Sequence, residues 1–225
     1  MSRIFVRSNG PGDWRCLLAD PETQWERRYS ARTLAHCWED TVGFPPEVKR
    51  VLSQHTALAK AEPILIFPEW RVSLPGGTRQ SQNDVWVLAS TEQSSVSIAV
   101  EGKVNEPFDK TLAEWKVDAS RGKETRLEFL TNELGLKAPL PDHLRYQLLH
   151  RTASSLIEAR RFRAQHAVML VHSFSHDNQW FDDFANLAGL FGPRPAVDQL
   201  VTISRADGIS LHLAWVHGDE RFLDA

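Results

Sequence analysis

Thiols are scarce in this chain. Its 225 residues include only Cys16 and Cys37, too few for a disulfide framework, so a reducing, cytoplasmic setting is expected. Long apolar runs are missing as well: none approaches the roughly 20 residues that a membrane helix needs. The opening Met1-Ser-Arg-Ile-Phe-Val-Arg lacks the apolar stretch and small-residue cleavage site of a secretory leader. No membrane partner is expected. Nor is there an excess of positive charge, since the formal net charge is −3. That balance excludes a broad nonspecific nucleic-acid coat and leaves room for a local basic groove. Internal repeats and low-complexity tracts are also absent.

What is present fits one globular domain over 1–225, with 1–30 as an N-terminal arm and 195–225 as a C-terminal hairpin extension. The arm carries Gly10, Pro11, Gly12 and Pro21 between the anchors Trp14, Trp25 and Tyr29. Ser30 reads as the N-cap of a helix over 31–40, and Pro45-Pro46 restarts a second helix through about 58. Strands are predicted over 64–74, interrupted at Pro68, and over 84–90, 96–103 and 167–174, the last a continuous apolar run of a buried strand. Helices follow around Trp115 and over 124–134, 142–162 and 178–191. Val197 to Ser204 and Ile209 to Val216 flank the turn Arg205-Ala-Asp-Gly208. The fold class is therefore α/β, a central mixed sheet flanked by helices with an extra C-terminal helix and β-hairpin.

The chemistry concentrates between Asp84 and Lys103. Two Val- and Ile-rich strands flank the polar turn Thr91-Glu-Gln-Ser-Ser95. Along the second strand, Val96, Ile98 and Val100 share one face, while Ser97, Ala99, Glu101 and Lys103 share the other. Hairpin pairing brings Asp84, at the head of the first strand, toward Glu101. Two crowded carboxylates repel unless a cation or a proton lies between them. Mg²⁺ is a hard cation that takes one or two carboxylates with waters and phosphate oxygens, and an adjacent lysine can position water or steady developing charge. These are the parts of metal-assisted phosphodiester hydrolysis. The bland alternative is a solvated strand end carrying an ion pair.

Asp84, Glu101 and Lys103 in this order resemble the active-site motif of the PD-(D/E)xK, restriction-endonuclease-like nuclease superfamily, with Asn83 standing where its proline would be. The wording Ser81-Gln-Asn-Asp84, Val100-Glu-Gly-Lys103 and Leu144-Arg-Tyr-Gln-Leu-Leu-His-Arg-Thr152 is similar to an uncharacterised bacterial family within it, over about residues 25–190. The resemblance implies an αβββαβ core and Mg²⁺ or Mn²⁺ held by Asp84 and Glu101, with the Val100 or Gly102 carbonyl as a further ligand. It also implies Lys103 positioning water, Glu39 lent to the metal from the first helix, and Gln147 orienting the lysine. In the helix over 142–162, Gln147, Arg151, Ser154 and Glu158 form one polar stripe aimed at something specific or at water.

The expected activity is a metal-dependent nuclease acting on nucleic acid, in the first place DNA. Arg145, Arg151, Arg160, Arg161 and Arg163 are candidates for phosphate contacts, and a homodimer is compatible with this reading. Two rivals stand beside it: a non-catalytic binding or scaffold protein that keeps the fold, and a Mg²⁺-dependent phosphoryl-transfer enzyme acting on a small substrate. His172, His176 and Asp177 have no diagnostic metal spacing. Nothing marks Cys37 as a nucleophile, and Trp70, Trp86 and Trp215 read as core rather than base-stacking residues.

Overall fold

A computed structural model describes residue 4 and residues 8–225. The rest of the predicted arm, 1–3 and 5–7, lies outside the described residues. Six strands make one open mixed sheet: β1 (Glu62–Val72), β2 (Ser81–Ser90), β3 (Ser95–Lys103), β4 (His166–Ser173), β5 (Leu200–Ile203) and β6 (Ser210–His217). Their order across the sheet is β1-β2-β3-β4-β6-β5. The first three form an antiparallel meander, β3, β4 and β6 run parallel, and β5 returns antiparallel to β6. The helices are α1 (Pro21–Gln24), α2 (Ser30–Glu39), α3 (Pro46–Leu52), α4 (Leu112–Lys116), α5 (Arg121–Leu134), α6 (Tyr146–Arg161) and α7 (Phe181–Gly189). None of them is long and apolar enough to cross a membrane.

Side-chain alternation divides the core into two layers. Val85, Val87, Ile98, Val100, Val168 and Leu170 pack on one face against Leu34 and Trp38 of α2 and Val48 and Val51 of α3. Met169, Val171, Leu211, Leu213 and Trp215 pack on the other against Leu130 of α5, Leu148, Leu149 and Leu156 of α6, and Phe184 of α7. Strand β4 is buried along its whole length, as an interior parallel strand covered on both faces must be. Pro68 lies in β1, the edge strand where a missing N–H is tolerated.

Three differences from the sequence reading have local causes. Helix α3 ends at Leu52 because Gln54 leaves it, donating from Nε2 to the Asp198 carbonyl and accepting from the Leu200 N–H. Helix α6 begins at Tyr146 rather than near 142, because Leu144 closes a turn onto the Pro141 carbonyl and Arg145 bridges to Thr111. The C-terminal hairpin is not an appendage: β6 pairs with β4 from His166↔Ser210 to Ser173↔His217 and continues the sheet.

Candidate functional site

The β2–β3 hairpin is closed by a tight turn in which Thr91 N–H donates to the Ser94 carbonyl and Thr91 Oγ1 accepts from the Ser94 N–H. Its register runs from Ser90↔Ser95 to Val85↔Val100, which puts Asp84 level with Glu101 on the face carrying α6. Gly102 N–H donates to Asp84 Oδ2 at 2.7 Å. A Cβ on Gly102 would sit 3.1 Å from Leu34 and 3.4 Å from that same oxygen, so the absent side chain permits the approach.

Glu101 and Lys103 are almost fully buried, 2% and 4% exposed. Glu101 Oε1 accepts from Lys103 Nζ at 2.9 Å and from Gln147 Nε2 at 2.6 Å, while Oε2 accepts from Arg151 Nε at 2.6 Å. Burial alone would push the Glu101 carboxyl up, but the Lys103 and Arg151 charges and their hydrogen bonds hold it below the ordinary carboxylate range. Lys103 also lies over the Phe108 ring, 4.8 Å from its centroid. Gln147 thus reaches Glu101 at the oxygen the lysine binds, and its own Oε1 accepts from the Asp109 N–H.

A third carboxylate, missed in the sequence, faces the same cleft. Glu69 lies on β1 between the pairs Pro68↔Val85 and Trp70↔Asn83, opposite Asp84. It is the one strand residue there with a left-handed backbone, φ +53°. Gln82 Nε2 donates to Glu69 Oε2 at 2.6 Å. Burial, reinforced by Asp84, raises Glu69 to about 8; burial, reinforced by Glu101, raises Asp84 to about 7. These two acids repel one another, and Arg151 Nη2 at 3.8 Å from Asp84 Oδ1 relieves them only in part. The signal that could have found Glu69 is its place one residue after an edge-strand proline, two residues before Arg71.

The polar stripe of α6 faces the sheet and not water. Arg151 is 7% exposed, Ser154 0% and Glu158 2%. Arg151 Nη1 donates to Ser81 Oγ, which also accepts from Ser154 Oγ and contacts His150 Nδ1 at 2.7 Å. Burial and the Arg151 and Arg126 charges hold His150 well below its ordinary value, so it is neutral at pH 7. Arg151, Ser81 and His150, with Glu69, Asp84 and Glu101, line a cleft of about 790 Å³ that also includes Arg71 and Arg79. Both arginines are exposed, and neither side chain makes a hydrogen bond or ion pair with the described residues.

Other predicted residues lie elsewhere. Glu39 closes α2 on the opposite side of its helix, where Oε1 accepts from Trp14 Nε1 at 2.8 Å and from Ser8 Oγ. Docking of the arm claims that carboxylate, so it does not join Asp84. Arg145 pairs with Asp183 at 2.8 Å and lies over Trp180, fastening α6 to α7. Arg160 pairs with Glu133 and Asp207; Arg161 meets Glu158 and the Trp70 ring; Arg163 is exposed in the turn after α6. These three sit nine or more residues beyond Arg151, about 13 Å along the helix, and do not line the cleft. Trp86 and Trp215 are fully buried, and Trp70 stacks on Trp86 at 5.3 Å.

On the other face, Cys37, Glu47 and His172 come within metal-ligand reach of one another. His172 Nε2 contacts Glu47 Oε1 at 2.9 Å, while Trp38 Nε1–H donates to His172 Nδ1. An imidazole that accepts at Nδ1 carries its proton on Nε2, which fits a donor to Glu47 and not a metal ligand. Burial and Glu47 drive the Cys37 thiol far up, so it stays protonated. His176 pairs instead with Glu220 at the surface.

An open α/β sheet with an acidic, arginine-rimmed cleft at the head of its meander is thus the frame of this protein. The chain belongs to the family described as Domain of unknown function (DUF6946), whose model matches residues 7–220. No curated protein and no solved structure matches it.

Proposed function

We propose that this protein is a Mg²⁺- or Mn²⁺-dependent nuclease of the PD-(D/E)xK type that hydrolyses DNA phosphodiester bonds at the Asp84/Glu101/Lys103 cleft. One observation carries the reading: three carboxylates from adjacent strands, Glu69, Asp84 and Glu101, share a cleft floor with a buried lysine. The donor set is all oxygen, which fits a hard cation. Asp84 Oδ1 and Glu69 Oε1 accept no hydrogen bond from the described residues and are the atoms left to hold one. Bound there, such a cation would polarise a phosphate and acidify water.

The chain's own residues do the rest. Lys103, fixed between Glu101 and the Phe108 ring, holds a proton donor and a positive charge beside the reacting phosphate. Gln147 locks Glu101 in place through its bond to Asp109. Arg71 and Arg79, whose side chains have no partner among the described residues, take the phosphates first assigned to Arg145, Arg160, Arg161 and Arg163.

A second reading has its own support. Lys103 and Arg151 already neutralise Glu101, as a non-catalytic DNA-binding or scaffold protein would require. Incubating purified protein with supercoiled plasmid, linear duplex and single strands in Mg²⁺ or Mn²⁺ separates the two. Nicking that is lost in Asp84→Ala supports the nuclease. DNA binding with no cleavage in either metal leaves the scaffold reading.

A further inference from the structure

Arg151 occupies the position that the proposed metal site most needs. Glu101 has two oxygens, and Oε1 is filled by Lys103 and Gln147. Oε2 has one partner, the Arg151 Nε–H at 2.6 Å, and the same guanidinium reaches toward Asp84 Oδ1 at 3.8 Å. A cation held jointly by Asp84 and Glu101 therefore competes with Arg151 for the same oxygen. Arginine cannot leave by losing its proton, so it must move.

We infer that Arg151 is a displaceable internal counter-ion: it holds Glu101 while the site is metal-free, and on cation entry it turns into the cleft to bind the substrate's phosphate. This inference rests on the nuclease reading above.

Three features of the site support it. The first is charge. Three carboxylates against Lys103 and Arg151 leave one net negative charge when all are ionised. Adding a divalent cation with Arg151 still in place would turn that into a net positive charge around the buried Glu101 and Lys103, which is disfavoured. With Arg151 swung outward, cation and Lys103 balance the three acids, and the freed guanidinium meets a phosphate of opposite sign. The second is room: Arg151 lines the cleft of about 790 Å³, so the side chain has open volume on one side. The third is the second anchor. The bond from Nη1 to Ser81 Oγ is 3.3 Å long, and that hydroxyl keeps Ser154 and His150 as partners once Arg151 departs. Nothing else buried is orphaned by the movement. Arginine's planar fork also suits phosphate better than the point charge of a lysine.

The test uses the whole protein and two variants, Arg151→Gln and Arg151→Lys. Calorimetric titration with Mg²⁺ and with Ca²⁺ reads metal affinity directly, and circular dichroism confirms folding. Loss of an internal competitor should tighten Mg²⁺ binding in Arg151→Gln by about tenfold or more. Binding to a short DNA duplex in Ca²⁺ should weaken, with the salt dependence reduced by about one phosphate contact. Wild-type DNA affinity should rise on adding Ca²⁺, and that increment should shrink in Arg151→Gln and return in part in Arg151→Lys. A merely structural arginine would lower both affinities together. Equal or weaker Mg²⁺ binding in Arg151→Gln overturns the inference and leaves the nuclease reading intact, with the cation resting on Glu69 and Asp84 alone. Absence of metal binding in wild type, where Asp84→Ala changes nothing, overturns both.

Discussion

Asp84→Asn should stabilise the metal-free protein while abolishing its response to divalent cations. Burial and Glu101 raise Asp84 to about 7, against about 3.9 in an unfolded chain. In the folded state the acid keeps its proton over a range where the unfolded chain has released it. Stability therefore falls as pH rises from about 4 to about 7, by about 1.4 kcal/mol per unit. The limit, reached above about pH 7, is about 4 kcal/mol. Asparagine does not titrate and escapes this loss, but it gives up the attraction of the Arg151 guanidinium 3.8 Å away. A net gain of about 1–2 kcal/mol at pH 8 corresponds to about 2–8 °C in melting temperature for a chain this size. The assay is a set of melting curves near pH 4, 6 and 8 for both proteins, in EDTA and in excess Mg²⁺. The variant's advantage should be absent near pH 4 and grow toward pH 8, and Mg²⁺ should raise the melting point of wild type alone. A variant that melts below wild type at pH 8 in EDTA would refute the reasoning, since attraction to Arg151 and Gly102 would then outweigh burial and repulsion.

Lys103→Ala should abolish plasmid nicking while leaving Mg²⁺ affinity in calorimetry unchanged or tightened, because the amine binds Glu101 and is not a ligand. Arg71→Ala with Arg79→Ala should weaken DNA binding at all sequences alike and flatten its salt dependence by about two contacts, read by titration at several salt concentrations. Burial and the neighbouring His166 and His55 hold His212 down to about 3, so the folded protein keeps it neutral while the unfolded chain protonates below about pH 6.5. This group's contribution is present above that pH and is lost on acidification by about 1.4 kcal/mol per unit. His212→Gln should accordingly flatten the acid limb of the melting profile, opposite in sign to the effect of Asp84→Asn.

Strand β3 was legible because its sequence obeys the two-residue period, and β4 because it is a continuous apolar run. That same period put Glu101 and Lys103 on one face, and the Thr91–Ser95 turn fixed the register that places Asp84 beside them. The α6 stripe was legible as a stripe, and only the packed structure shows that it faces the sheet. Glu69 was not legible, since it reaches the site through the pairing of β1 with β2 and a left-handed backbone after Pro68. Pro68 marks the edge locally, but the strand that pairs beside it is set only by the fold. Glu39 went astray for the converse reason: a helix of ten residues does not announce which of its polar groups an arm will cover. Arg160, Arg161 and Arg163 lie outside the cleft for a reason of distance. A rise of about 1.5 Å per residue carries them to the far end of α6, away from Gln147.

The position of β6 has a consequence for how the chain assembles. Of the six strands it comes last in the chain, yet it fills an interior slot between β4 and β5. Until residues 210–217 arrive, β4 presents a row of unpaired N–H and C=O groups on a strand whose centre, Ala167 to Val171, is apolar, the kind of open edge that pairs with neighbouring copies. The nascent protein therefore passes through a stage in which its sheet is a template for association, and folding has to wait for its most distant contacts. Shielding of that edge by chaperones during synthesis should matter more here than for a sheet whose final strand is added at the rim.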